Sequence, residues 1–172
     1  MKKRLAMLVL AGAMVTSSLT GCGLKDSATV ATVAGDEIPA GLANFYARMT
    51  QAQYESMYSS YLGDNMWTTE ASEGKTYEKL VKDEVLKDLE NMYLLEDHMD
   101  DYKISLSDDE KKAIKDAAKE FSKDNDKDDK EKVSGDTEYV ERYLTLATIK
   151  QKMTDAIEAE ADTNVTDDEA KQ

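Results

Sequence analysis

The chain has 172 residues, enough for one domain with an appendage, and 36 Asp and Glu outnumber 22 Lys and Arg, giving a net charge of −14. Such a surface repels nucleic acid and anionic lipid headgroups, so neither is expected as a charge-driven partner. One cysteine excludes a disulfide framework and a thiolate metal cluster.

Lys2, Lys3 and Arg4 precede an apolar run over residues 5–15, too short to cross a bilayer core of about 30 Å. That pattern is a secretory leader. Ser17 and Ser18 then lead into Leu19-Thr20-Gly21-Cys22. Small residues ahead of a cysteine resemble the lipobox of bacterial lipoproteins. The resemblance implies cleavage before Cys22, a diacylglyceryl group on its thiol, and anchorage to the outer, extracytoplasmic face of the cell membrane. The alternative is an ordinary leader followed by a free Cys22, a lone reactive thiol in an oxidising compartment. Residues 1–21 are thus expected to be the leader and 22–29 a lipidated tether. Losing the leader takes three of the 22 basic residues, which leaves 19 against 36 acidic ones, a net charge near −17. Membrane contact then comes from lipid rather than a basic patch, and the charge keeps the domain off the bilayer. The same charge is equally well read as an ordinary acidic surface.

Residues 30–162 are expected to form a mainly α domain with a short N-terminal β-hairpin. Val30, Ala31, Thr32 and Val33 predict a strand, Gly35-Asp36 a turn, and Glu37-Ile38 the returning strand. Pro39 suits the first position of a helix, where its missing N–H loses no partner. Leu42, Phe45, Tyr46, Met49, Ala52, Met57, Tyr58 and Tyr61 recur at helical spacing and make one face apolar and aromatic. Gly63 ends this helix, and residues 66–75 read as a loop containing Trp67. Thr76 is the next N-cap, with Glu78 at the positive helix end. Leu80, Val81, Glu84, Val85, Leu89, Met92, Tyr93, Leu95 and Met99 carry the pattern to about Asp100.

Ser107-Asp108-Asp109-Glu110 is a capping box for a helix using Ile114, Ala117, Ala118 and Phe121. Residues 124–132 are mixed charge without an apolar side chain, so a solvated, mobile run is expected. Gly135-Asp136-Thr137 starts a long helix with Val140, Tyr143, Leu144, Ala147, Met153 and Ile157 as its stripe. Thr166-Asp167-Asp168-Glu169 is a second capping box. It predicts a further helix, begun within residues 163–172 and continued in a longer version or relative of the chain.

Little points to catalysis or metal. Asp124, Asp126 and Asp128 alternate like the first ligands of an EF-hand loop. Its sixth and twelfth positions, however, are Asp129 and Gly135 instead of Gly and Glu. His98, the sole histidine, cannot build a multi-histidine site, and a helix C-terminus favours a histidine for its dipole. Eight scattered glycines form no phosphate loop, and no nucleophile elbow or Cys/His pair is present. No catalytic residue, metal or cofactor is therefore expected. The remaining feature is the crowding of Tyr46, Met49, Tyr54, Met57, Tyr58 and Tyr61. They either face the core or line a groove for extended chains, a use that suits adaptable Met and amphipathic Tyr.

The order of these motifs carries a family resemblance. Ala31-Thr32-Val33-Ala34-Gly35-Asp36-Glu37-Ile38 followed by a helix with an early Phe45-Tyr46 resembles the opening of extracytoplasmic foldases of the PrsA/SurA type. The helix with Val85-Leu86 and Leu94-Leu95 resembles their second, and Tyr102 to Glu110 their step into the third. Asn164-Val165-Thr166-Asp167-Asp168-Glu169 looks like the linker helix into their parvulin isomerase domain. The resemblance covers residues 30–172 and implies a SurA-N-like helical domain. It further implies a chaperone-like role on unfolded or nascent secreted proteins, with Phe45, Tyr46, Met49, Tyr54, Met57, Tyr58 and Tyr61 as candidate peptide-binding residues.

The chain departs from the family by lacking the histidine-bearing parvulin domain, so no isomerase residue carries over. The segment that often packs back onto the helices in that family is also lacking, which would expose part of a groove, favour a homodimer or change the fold at the domain's edge. Three readings follow: a non-catalytic lipid-anchored chaperone, the N-terminal module of a longer peptidyl-prolyl isomerase, or a structural lipoprotein without clients.

Overall fold

A computed structural model of the chain describes residues 25–63, 65–72 and 74–160. The leader, Cys22 and the second capping box lie outside these residues. The described chain is mainly helical and opens with a two-stranded antiparallel sheet, as expected.

Strand β1 (Thr29–Val33) pairs with β2 (Asp36–Pro39), Val33 opposite Asp36 and Ala31 opposite Ile38. Ala34 and Gly35 turn the chain with φ of 53° and 99°, the doubly left-handed turn that matches the twist of a hairpin. The alternating side chains Val33 and Ile38 are both buried. Pro39 ends β2 instead of starting the helix, so that expectation is corrected. A strand end tolerates its missing N–H, and the next amide, from Ala40, donates to the Ala28 carbonyl at 2.7 Å.

Within the segment expected to be the tether, Asp26 is docked on the helices. Asp26 accepts the Gly41 amide on its carbonyl at 2.8 Å. Its carboxylate takes the Ser134 hydroxyl at 2.9 Å, and Ser134 accepts from Asn44 Nδ2 at 2.9 Å.

Helix α1 (Ala40–Leu62) ends at Gly63, whose φ of 68° is the expected left-handed cap. The expected loop over 66–75 is more ordered than its sequence suggests. A 3₁₀ turn (Met66–Thr68) buries Met66, and β3 (Glu70–Ser72) pairs with β4 (Lys75–Thr76). Strands of two and three residues are too short to show a period.

Thr76 caps α2 (Tyr77–Asp97) by accepting the Lys79 amide at 3.3 Å. Val81, Val85, Leu89, Met92 and Tyr93 are its buried stripe, while Glu84 is exposed. A 3₁₀ turn (Met99–Tyr102) leads on to α3 (Asp108–Asp124). The Ser107 capping box forms in both directions: Ser107 Oγ accepts the Glu110 amide, and Glu110 Oε2 accepts the Ser107 amide. Ile114 and Ala118 face inward, but Ala117 is exposed.

The charged run is solvated, yet it is a helix, α4 (Lys127–Val133), which corrects the expectation of a mobile segment. Asp126 caps it by accepting the Asp129 amide at 2.9 Å, and Lys127 pairs with Glu131 one turn on at 3.4 Å. Gly135 N donates to the Lys130 carbonyl at 2.7 Å and closes its end.

Helix α5 (Thr137–Glu160) packs against α1, α2 and α3. It buries Val140, Leu146, Ile149 and Met153, while Ile157 is exposed. Three polar pins cross the bundle. Asp88 on α2 accepts from Tyr46 of α1 and Lys150 of α5, both at 2.6 Å. Arg142 donates a fork to Glu96 and lies over the Tyr93 ring, 4.6 Å from its centre. Lys152 ties α5 to Glu110 at 2.8 Å.

Candidate functional site

The seven residues expected to bind peptide divide along α1. Phe45 is 2% exposed and belongs to the core, which corrects its assignment. Its ring meets Phe121 edge-on at 5.5 Å and Tyr143 at 5.7 Å, so helices on two sides cover it. Tyr46 is half-buried, its ring 4.9 Å from Tyr143 and its hydroxyl spent on Asp88. Burial, and then the Asp88 hydrogen bond, raise its pKa, so it stays a neutral donor. Both residues build the fold.

Beyond them the same helix runs past its partners. Met49 sits seven residues on from Leu42 and so on nearly the same side, but it is exposed. Met57, Tyr58 and Tyr61 are 54%, 41% and 85% exposed. Tyr54, half-buried, anchors the group, with its ring 5.6 Å from Tyr58 and 6.3 Å from Trp67.

Trp67 was not among the expected binding residues, although it is the only tryptophan. The 3₁₀ turn brings it back against α1, where its indole Nε1 donates to Glu55 Oε1 at 2.8 Å. The Tyr54 hydroxyl reaches Glu84 Oε2 at 3.4 Å. Hydrogen bonds from Gln51 and then Trp67 lower the Glu55 pKa, and burial followed by Glu84 raises that of Tyr54. The last turns of α1 therefore present two exposed tyrosines and a methionine beside a Tyr54–Trp67 pair edged by two carboxylates.

A cleft of about 330 Å³ lies beside this cluster, between α1 and α2. Tyr46, Thr50, Glu84, Lys87, Asp88 and Asn91 contribute to its lining. Of the expected binding residues only Tyr46 lines it, so the exposed surface of α1 and the cleft are neighbours that share the Glu84 edge. A polar-rimmed cleft continuous with an aromatic ledge suits an extended chain better than a small enclosed molecule.

His98 is exposed at the end of α2, its Nδ1 3.4 Å from Asp97. Asp126 is spent on capping α4. Among the described residues no group of three His, Cys, Asp or Glu side chains converges to hold a metal. No described helix is long and apolar enough to cross a membrane. No family model, curated protein or solved structure matches the chain.

Proposed function

We propose that this chain is an extracytoplasmic lipoprotein, anchored through Cys22, that holds unfolded secreted polypeptides on the last turns of α1. The observation that carries the reading is the exposure of Met57, Tyr58 and Tyr61 beside Tyr54 and Trp67. Flexible Met and amphipathic Tyr accept many sequences, which a holding protein requires. The lipobox-like Leu19-Thr20-Gly21-Cys22 and the hairpin-first order of elements support the same reading. Apolar burial yields about 25 cal/mol per Å², and ordering a client chain consumes much of it, so binding is weak and reversible. No bond is made or broken.

The test is aggregation of a reduced or denatured model protein with and without the mature chain. A Met57→Ser, Tyr61→Ser variant serves as comparison, its fold checked by circular dichroism. Because both side chains are exposed, the variant is expected to stay folded and to lose protection. Equal protection by parent and variant would refute the site. The anchor is checked separately: a Cys22 peptide from the membrane-extracted protein should carry a diacylglyceryl mass.

A further inference from the structure

The end of α1 is poor in charge within a highly charged protein. Residues 49–62 contain a single Asp, Glu, Lys or Arg, Glu55, whereas a chain that is 34% charged would place about five there. Charge depletion with Tyr and Met enrichment, on an exposed surface, is the composition of an interface centre. The last turn also has no basic residue, so the partial negative charge of the helix C-terminus is not offset from within it.

We infer that this surface selects cationic stretches of polypeptide, seating Lys or Arg side chains over Tyr58 and Tyr61 and beside the carboxylates of Glu55 and Glu84. The inference rests on the holding role proposed above and narrows it to one client chemistry. The bundle already contains the same pairing internally. Arg142 lies over the Tyr93 ring while Glu96 takes both of its donors. At the end of α1 two of its components, carboxylate and aromatic ring, lie together on the surface: Glu84 accepts from Tyr54, Glu55 accepts from Trp67, and the rings of Tyr58 and Tyr61 are exposed on the same turns.

Charge also decides between occupants. A second copy would bring another strongly negative chain, −14 over the whole sequence, toward the first, whereas a basic segment is drawn in from a distance.

Trp67, the sole tryptophan, reports from within the site. Full-length mature protein in detergent is titrated with three unstructured peptides of one apolar sequence bearing four arginines, four citrullines or four glutamates. The arginine peptide should shift Trp67 emission and bind at least tenfold more tightly than the citrulline peptide, with affinity falling as salt rises. Tyr58→Leu with Tyr61→Leu keeps the apolar area and removes the rings. It should weaken the arginine peptide by about two- to fivefold per ring and leave the citrulline peptide unchanged. Glu55→Gln with Glu84→Gln should narrow the preference further.

Equal binding of the arginine and citrulline peptides would overturn the cation preference while leaving the holding role intact. Binding of none would overturn both. Arginine binding that ignores both double variants would make the attraction a property of overall charge and overturn the site. Dimers in sedimentation that Tyr61→Leu dissolves would identify a second copy as the occupant and overturn the inference.

Discussion

Asp88 is the junction where α1, α2 and α5 meet, and Asp88→Ala removes two hydrogen bonds at once. The Tyr46 hydroxyl and the Lys150 ammonium each donate to it at 2.6 Å. A hydrogen bond to a charged group is worth about 1.5–3 kcal/mol. The Lys150 side chain is 40% exposed, so solvent screening reduces its share to about 0.5–1 kcal/mol. Tyr46 is half-buried and keeps the larger share, about 1.5–2 kcal/mol. The expected loss is thus about 2–3 kcal/mol, or a Tm lower by roughly 10 °C for a domain of this size. Thermal and urea unfolding followed by circular dichroism measure it. A cycle pairing Asp88→Ala with Tyr46→Phe should give a coupling of about 1–2 kcal/mol, since the two residues share one bond. A Tm change under about 2 °C, or additive single effects, would refute the three-helix junction.

Gly41→Ala should destabilise by about 1–3 kcal/mol although alanine is the better helix former, because a Cβ there would run into the Tyr139 ring and lie 2.9 Å from the Cβ of the docked Asp26; Tyr139→Ser in the same chain should restore only part of the loss in a thermal melt, since the Asp26 contact stays. Lys152, then the Ser107 amide, hold the Glu110 pKa at about 2 against an ordinary 4.5. Its contribution is therefore complete above pH 4.5 and disappears as pH falls through about 2, so Glu110→Gln should lower the urea midpoint at pH 6 and match the parent at pH 2.

Local signals were the most legible part of the sequence. Thr76, the Ser107–Glu110 box and Gly63 stop or start helices through their own hydrogen bonds or backbone freedom, and all three act as their chemistry requires. Signals that depend on partners were less so. Leu146 and Ile149 fall outside the expected stripe of α5 because that helix is packed by three others and buries more than one side. Phe45 and Met57 share helical spacing, but spacing gives a direction and not where the neighbouring helix ends. One is therefore core and the other surface. Residues 124–132 lack apolar side chains, so α4 rests on the Asp126 cap, on charge pairs and on the single Val133 packed against the core, which a hydrophobic pattern does not register. Trp67 joins the aromatic cluster only through a turn whose geometry has no period.

Asp26 gives the lipid anchor a mechanical meaning. If Cys22 carries lipid as proposed, four residue steps separate it from the docked Asp26, at most about 14 Å of extended chain. Tethers of dozens of residues let a domain sweep a wide volume and face any way. Here the lever is short and is clamped by Ser134 and Gly41, at the very point where α1 begins. From that foothold the 23 residues of α1 run about 34 Å to the aromatic end. The search volume of that end is thereby confined to a thin shell over the bilayer. A chain emerging from the membrane would meet it at a high local concentration, which offsets its weak intrinsic affinity.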